Sequence, residues 1–553
     1  MMQETLAGII RKAIRNNWKN QALADYRGKS YTYSEVAGHI IHLHTRFEAY
    51  GIKRGDKIAL LGKNSAKWGI SYLAVVTYGA VVVPILPDFK PNDVHHIVNH
   101  SDSRLLLASD TLFDALDTEK MKGLLGIVSL NDFSILSENE NHPLSGKAEE
   151  VENLYQKKYP YGVQSDNLNF PDISNDELAV ISYTSGTTGF TKGVMIPHNS
   201  LVANIIYANN NMPLDPGDAI VSFLPLAHAY GCAFEFLWPF TLGCNITLLT
   251  KTPSPQVILE AFRKIRPRLV LAVPLIIEKI YKKQILPAIQ KPHMKALMNT
   301  PLLNRILYRK VKSKLVDVFG GNFHEVVIGG APLNKEVELF LNKIGFPYSI
   351  GYGMTECGPL ISYANWKKTR PGAAGKLVDT LEAKIDSPDP QNIVGEILVR
   401  GENVMAGYFK NKEATDNALD EEGWLHTGDL GLLDKDGYLY IKGRSKSMIL
   451  GPSGQNIYPE EVEARLNNKR FIQESLVIDK DGILEALVYP DYELIDQEGV
   501  SEAGLNHILD QYKTELNNGI PAYMNISRIR IFPEEFEKTP KKSIKRFLYT
   551  MNR

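Results

Sequence analysis

The sequence predicts an α/β protein: a large N-terminal domain of layered sheets and helices, followed by a small, mobile α+β C-terminal domain. Short β-branched runs alternate with longer amphipathic segments, the pattern of helices laid on largely parallel sheets. The 553 residues exceed what one compact core holds. Past about residue 420 the character changes, and the last 110 residues, 444–553, are enough for an α+β unit of their own.

The elements follow in order. The N-terminus, MMQETLAGIIRKAIRNNWKNQ, carries charge through what would be the apolar heart of a signal peptide, so it reads as an amphipathic helix. Lys57–Leu61 precedes the helical Ala66–Tyr78, Val81–Ile85 precedes Asn92–Asn99, and Leu105–Ala108 is the next strand. The longest apolar stretch, Leu73 to Leu86, is broken by Tyr78, Gly79 and Pro84 and is too short to span a bilayer. Residues 137–169 are polar and aperiodic, the mark of a surface loop. Leu269–Ala272 and Glu325–Ile328 are strands, each followed by a helical stretch. Asp434-Lys435-Asp436-Gly437 signals a turn between Leu430–Leu433 and Tyr438–Ile441, hence a hairpin. Pro459, with Glu460 and Glu461 behind it, opens a helix with favourable charge at its N-terminus. The boundary falls at Gly443–Lys446, giving domains 1–443 and 444–553.

The composition, 44% hydrophobic and 23% charged, is that of an ordinary globular protein. With 62 Lys+Arg against 63 Asp+Glu, no global basic field exists to hold nucleic acid or anionic membrane. Three cysteines, Cys232, Cys244 and Cys357, cannot form a disulfide framework, which predicts a reducing, cytoplasmic setting; with no segment long enough to span a bilayer, membrane contact at the inner face would be peripheral at most.

The most informative stretch is Tyr183-Thr-Ser-Gly-Thr-Thr-Gly-Phe-Thr-Lys-Gly-Val194, directly after a strand-like run. Gly186, Gly189 and Gly193 free the backbone, Thr184, Ser185, Thr187, Thr188 and Thr191 supply hydroxyls, and Lys192 supplies a point charge. Backbone N–H groups, hydroxyls and one ammonium make a cradle for a polyphosphate. A glycine-rich turn alone would explain the glycines but not the crowd of hydroxyls beside a lysine. The P-loop spacing is absent, because Gly193 follows Lys192.

This S-G-T-T-G-x-x-K-G run resembles the AMP-binding loop of the adenylate-forming superfamily, which includes acyl-CoA synthetases, peptide-synthetase adenylation domains and beetle luciferases. Gly329-Gly330-Ala331-Pro332-Leu333, Gly351-Tyr-Gly-Met-Thr-Glu356, Gly395-Glu396, Thr427-Gly428-Asp429 and Gly443-Arg444 match the family's further motifs in order. The resemblance covers roughly residues 8 to 547. It implies ATP and Mg²⁺ as ligands, with Lys192, His228 and Glu356 catalytic. It places nucleotide contacts at Thr184, Ser185, Gly186, Thr187, Thr188, Gly189, Gly330, Ala331, Tyr352, Gly353, Thr355, Asp429, Arg444 and Lys446, and the metal at Thr184 and Glu356. Each role suits its chemistry: Tyr352 offers a face to adenine, Asp429 can accept from ribose hydroxyls, and Glu356 is an oxygen ligand of the kind Mg²⁺ prefers. Taken singly, Glu356 reads equally as a capping carboxylate, Asp429 as a turn aspartate and Arg444 as a surface ion-pair partner.

On the acyl side, Ser222-Phe-Leu-Pro-Leu-Ala-His-Ala-Tyr-Gly-Cys-Ala-Phe234 places His228 in an apolar stretch where a satisfied core histidine is the ordinary alternative. Amino-acid-adenylating relatives carry an aspartate directly after this histidine, and here it is Ala229, which points to an acid without an α-amino group. Glu235 is the one nearby carboxylate and weighs against that reading. The chemistry needs no protein nucleophile, so the cysteines read as packing.

The chain departs from the resemblance near its end. The family's lysine before I-x-R falls on Ser543 in Glu537-Lys-Thr-Pro-Lys-Lys-Ser-Ile-Lys-Arg546, and a one-residue shift would bring Lys542 to that place. Lys446 takes the family's hinge position. The expected function is AMP-forming activation of a hydrophobic carboxylic acid, a medium- or long-chain fatty acid foremost, followed by thioester transfer to coenzyme A. Rivals are an aryl-acid or succinylbenzoate ligase, a ligase that loads acyl carrier protein, and a non-catalytic binding protein that keeps the fold.

Overall fold

The computed structural model describes residues 2–185, 191–250, 254–289, 291, 300, 303–450, 455–480, 482–539 and 543–550. Its largest sheet has eight strands in the order Gly407–Tyr408, Thr191–Pro197, Leu178–Ser185, Val81–Ile85, Lys57–Leu61, Ser103–Ala108, Gly126–Ser129 and Ile135–Glu138. The strands from Leu178–Ser185 to Gly126–Ser129 run parallel, while the flanking strands pair antiparallel. The parallel strands carry continuous apolar runs because helices cover them; Ala66–Tyr78 is buried along nearly its whole length. Ser65 accepts from the Trp68 N–H at 3.1 Å to start that helix, and Gly79, at φ +87°, ends it.

A second sheet runs Leu269–Ala272, Glu325–Ile328, Tyr348–Gly353, Leu360–Tyr363 and Lys376–Leu377, with its first three strands parallel. A third, Leu381–Asp386, Gly395–Gly401, Leu425–Leu433 and Leu439–Arg444, is antiparallel throughout and contains the expected hairpin. The N-terminal helix Leu6–Asn16 buries Leu6, Ala7, Ile9, Ile10, Ala13 and Ile14, as its amphipathic pattern predicts. Residues 137–169 differ from the expected loop: Ala148–Lys158 is a helix. Glu149 and Glu150 open it, Lys157 and Lys158 close it, and Tyr155 stacks on His42 at 4.0 Å, so end charges and one ring contact replace apolar periodicity. No described helix is long and apolar enough to cross a membrane.

Beyond residue 444 lies a separate interior. Ile457, Val462, Leu466, Val477, Val488, Leu505, Leu509 and Ile526 belong to one hydrophobic cluster around the Ile472–Lys480, Ile483–Pro490, Arg528–Ile531 sheet. Among the described residues, no hydrophobic cluster draws members from both sides of Arg444. Polar groups do bridge the two sides: Lys282 donates to the Asn467 carbonyl, and the Asn334 side-chain amide donates to Asn468.

Candidate functional site

Thr184 faces Lys192 across antiparallel strands, and Ser185 faces Thr191. The hydroxyl-rich loop therefore joins two strands of the large sheet; Gly186, Thr187, Thr188 and Gly189 lie outside the described residues. Gly193 is required by packing, since a Cβ there would come within 2.9 Å of Ile181. Lys192 has its ammonium 4.7 Å from the centre of the Tyr408 ring. The Tyr408 hydroxyl in turn donates to Glu356 Oε1 at 2.9 Å. Two groups 164 positions apart in sequence are thus joined through one tyrosine that carries no motif signal of its own. Thr355 is buried beside Glu356, and Gly353 admits no other residue, because a Cβ there would lie 2.0 Å from the Pro359 carbonyl.

Asp429 is 5% exposed and stands directly opposite Arg444 across the hairpin. It accepts from Arg444 Nε at 3.0 Å and from the Tyr352 hydroxyl at 2.7 Å. A carboxylate has about four lone-pair positions, so acceptor capacity remains for hydroxyls of a ligand. Burial, and then the Asp429 charge, push the Tyr352 phenol well above its usual range, so it stays a donor. The Asp429 charge, foremost, raises the Arg444 guanidinium, and Tyr352 and Glu356 add to it, which puts all four residues in one electrostatic neighbourhood. Glu396 builds the turn beneath them: its Oε1 accepts from the Gly428 N–H at 2.8 Å, and Gly428 adopts φ +70°. Thr427 Oγ1 donates to the Ile397 carbonyl at 2.7 Å and accepts from the Asp429 N–H at 3.1 Å. Gly330 (φ +84°) and Ala331 are exposed just past the Glu325–Ile328 strand, at the carboxyl ends of parallel strands where ligands of open α/β sheets bind. Lys446 is exposed in the short turn Ser445–Ser447.

His228 begins a helical segment, and its Nδ1 accepts from the Tyr230 N–H at 3.3 Å. Tyr230 donates to the Val327 carbonyl at 3.1 Å and packs over Gly329, which ties the histidine segment to the glycine motif. The backbone leading to His228 is held from both sides. Glu235, fully buried, accepts at Oε2 from the Phe223 and Leu224 N–H groups, both at 2.9 Å. Asn64 donates to the Leu224 carbonyl at 2.7 Å and accepts from the Leu226 N–H at 2.9 Å. Burial pushes the Glu235 carboxyl well above its usual range; its Oε2 is engaged by the backbone, while its Oε1 has no hydrogen-bond partner among the described residues. Burial also pushes the Cys232 and Cys244 thiols up to about 12, and Cys357 well above its usual range, far from the thiolate a nucleophile needs.

At the C-terminus Lys542 lies outside the described residues. The Thr539 N–H donates to the Ser543 carbonyl at 2.8 Å. Lys538 pairs with Glu474 and Glu535, Lys545 with Glu537, and Arg546 with Glu463. Lys538 and Lys545 are therefore committed to neighbours within their own lobe. The structure brings together Lys192, Glu356, Asp429, Arg444 and Tyr352 from the expected set. Tyr408, Asn64 and the supporting role of Glu396 carried no readable signal, except that Gly395-Glu396 stood among the ordered motifs.

Comparison with known proteins follows this geometry. The chain is 29% identical over 469 residues to 4-coumarate–CoA ligase 4 of Arabidopsis thaliana, covering 82% of this chain and 75% of that one. It is equally 29% identical over 502 residues to the peroxisomal long chain acyl-CoA synthetase 7 of the same plant, covering 85% and 70%. The fold matches the anthranilate CoA ligase AuaEII in complex with anthranoyl-AMP with a TM-score of 0.78 at 20% identity, over 99% of this chain and 96% of that one. Residues 10–409 match the AMP-binding enzyme family, and the chain belongs to that family.

Proposed function

We propose that this chain is an AMP-forming acid–thiol ligase that activates a hydrophobic carboxylic acid, a medium- or long-chain fatty acid foremost, and transfers it to coenzyme A. The observation that carries the reading is the connected set Lys192–Tyr408–Glu356 beside Arg444–Asp429–Tyr352. The substrate carboxylate attacks the α-phosphorus of ATP, the bond to the β-phosphate breaks, and pyrophosphate leaves. The thiol sulfur then attacks the acyl carbonyl and AMP departs. Lys192 and Arg444 would balance charge at the phosphates, His228 would stand beside the carboxylate–phosphate junction, and Asp429 would hold the ribose.

The donor set suits Mg²⁺. Thr184 and Glu356 are oxygen ligands, and the described residues hold no cluster of three metal-binding side chains. Such a sparse site fits an ion that takes most of its ligands from phosphate and water. When bound, it would neutralise charge at the phosphates; Glu356 would be its carboxylate.

Glu235 sharpens the acid. A carboxyl whose burial disfavours its charged form and whose Oε2 is engaged by two backbone N–H groups is a poor counter-charge for a substrate ammonium, which supports an acid lacking an α-amino group. An aryl acid is the second reading, favoured by the equal similarity to the 4-coumarate ligase. The domains 1–443 and 444–553, with Lys446 as hinge and Lys542 as the lysine of the adenylation step, belong to this proposal; the separate interior beyond residue 444 supports it.

Pyrophosphate release with palmitate, octanoate, benzoate and 4-coumarate, with and without coenzyme A, tests it. Acid-dependent release with a fatty acid leading is the expected result. No release with any acid would defeat the ligase reading, and preference for the aromatic acids would move it to the second reading.

A further inference from the structure

Tyr408 is held from three directions. Its two-residue strand, Gly407–Tyr408, pairs with Met195 and Val194 on the strand that begins beside Lys192. Its N–H donates to Thr415 Oγ1 at 2.9 Å. Gly407 adopts φ +132°, and a Cβ there would come 2.7 Å from Thr415, so the approach requires glycine. Just before it, the Met405 N–H donates to the Glu356 carbonyl at 2.8 Å and the Ala406 N–H to the Met195 carbonyl at 2.8 Å. The segment 405–408 therefore stitches the Glu356 turn to the lysine strand through its backbone as well as its side chain.

From this juxtaposition we propose that Tyr408 is a positioning residue for the phosphate–metal end of the site, its ring face fixing the Lys192 ammonium and its hydroxyl fixing the Glu356 carboxylate. The inference rests on the ligase reading above and adds to it a residue and a mechanism. The phenol O–H is the donor in this contact, since a carboxylate has only acceptors to offer it. A donor on Oε1 fixes the carboxylate plane and so the direction of its other oxygen. The ring holds the ammonium at 4.7 Å, on the same side chain whose tip marks Glu356, so lysine and carboxylate are pre-set relative to each other before any ligand arrives.

The two contacts separate by substitution. Tyr408→Phe keeps the ring and removes the hydroxyl; Tyr408→Leu removes both. The test is calorimetric binding of ATP to the full chain, with and without Mg²⁺, alongside thermal melts. For Tyr408→Phe the Mg²⁺ concentration at half-saturation should rise about tenfold, the order seen when a ligand loses its orienting partner, with metal-free ATP affinity and melting temperature unchanged. For Tyr408→Leu metal-free ATP affinity should also fall, about fivefold. In a Glu356→Gln background, Tyr408→Phe should add nothing further to the Mg²⁺ requirement. An unchanged Mg²⁺ midpoint in Tyr408→Phe overturns the hydroxyl's role. Unchanged metal-free binding in a folded Tyr408→Leu overturns the ring's role. Tyr408→Trp keeps an aromatic face, and if it binds metal-free ATP no better than the leucine variant, the ring's role falls equally. If the wild-type chain takes up no Mg-ATP, both the ligase reading and this inference fall; if it does and the variants match it, only the inference falls.

Discussion

The Asp429 and Glu235 ends of the candidate site hold their carboxylates in opposite ways. Asp429 is almost wholly enclosed, yet it meets a guanidinium and a phenol, so its surroundings answer its charge. Glu235 is enclosed too, but backbone N–H groups engage its Oε2, and burial pushes its carboxyl well above the usual range. Enclosure disfavours the charged form of an acid that only dipoles reach. Under the proposed function the first arrangement would serve the nucleotide and the second the path of the acid.

Breaking the Asp429 end should have the largest effect. Asp429→Ala removes the acceptor for both Arg444 and Tyr352, and with hydrogen bonds to charged groups contributing about 1.5–3 kcal/mol each, kcat/KM for ATP should fall on the order of 100-fold. Steady-state kinetics with varied ATP would show it; a value within about threefold of wild type would mean Asp429 serves only its own turn. Breaking the Glu235 end should act on the fold first. Glu235→Leu strands the Phe223 and Leu224 N–H groups and should lower unfolding stability by about 3 kcal/mol in denaturant titration, while kcat falls and KM for ATP holds, because the backbone leading to His228 loosens. A stable variant with full kcat would mean that Glu235 does not clamp this backbone.

The smallest effect sharpens the contrast through pH. The Glu235 carboxyl is raised in the fold above its ordinary 4.5, so its contribution to stability is full below about pH 4.5 and is lost as pH climbs toward the folded value. Gln keeps the acceptor and does not titrate. Glu235→Gln should therefore gain stability relative to wild type as pH rises above about 4.5, by at most about 1.4 kcal/mol per pH unit. A stability difference that stays flat with pH would mean the buried carboxyl is ionised after all.

How far the sequence could be read follows the same physics. Lys57–Leu61, Ala66–Tyr78, Val81–Ile85 and Glu325–Ile328 stand where the pattern put them, because elements covered on both faces advertise themselves as unbroken apolar runs. Ala148–Lys158 did not, since it rests on end charges and one stacked ring. In the site, Asp429 and Arg444 were legible through the ordered motifs alone; taken singly they read as a turn aspartate and an ion-pair partner, and the hairpin sets them opposite each other as such a pair. Asn64 reaches Leu224 across 160 positions, and the Tyr408 contacts arise from strand register, which no local pattern carries. The upward shift of the Glu235 carboxyl comes from enclosure, a property of the fold and not of the letter E.

The absence of a shared hydrophobic cluster across Arg444 among the described residues has a thermodynamic consequence. A reorientation of the C-terminal lobe about residues 444–446 would wet and unwet mainly polar contacts such as Lys282 with Asn467, leaving both oily interiors dry. Heat-capacity change tracks apolar surface brought into water. Such a swing should therefore carry almost no heat-capacity signature, and the logarithm of its equilibrium constant should plot as a straight line against reciprocal temperature.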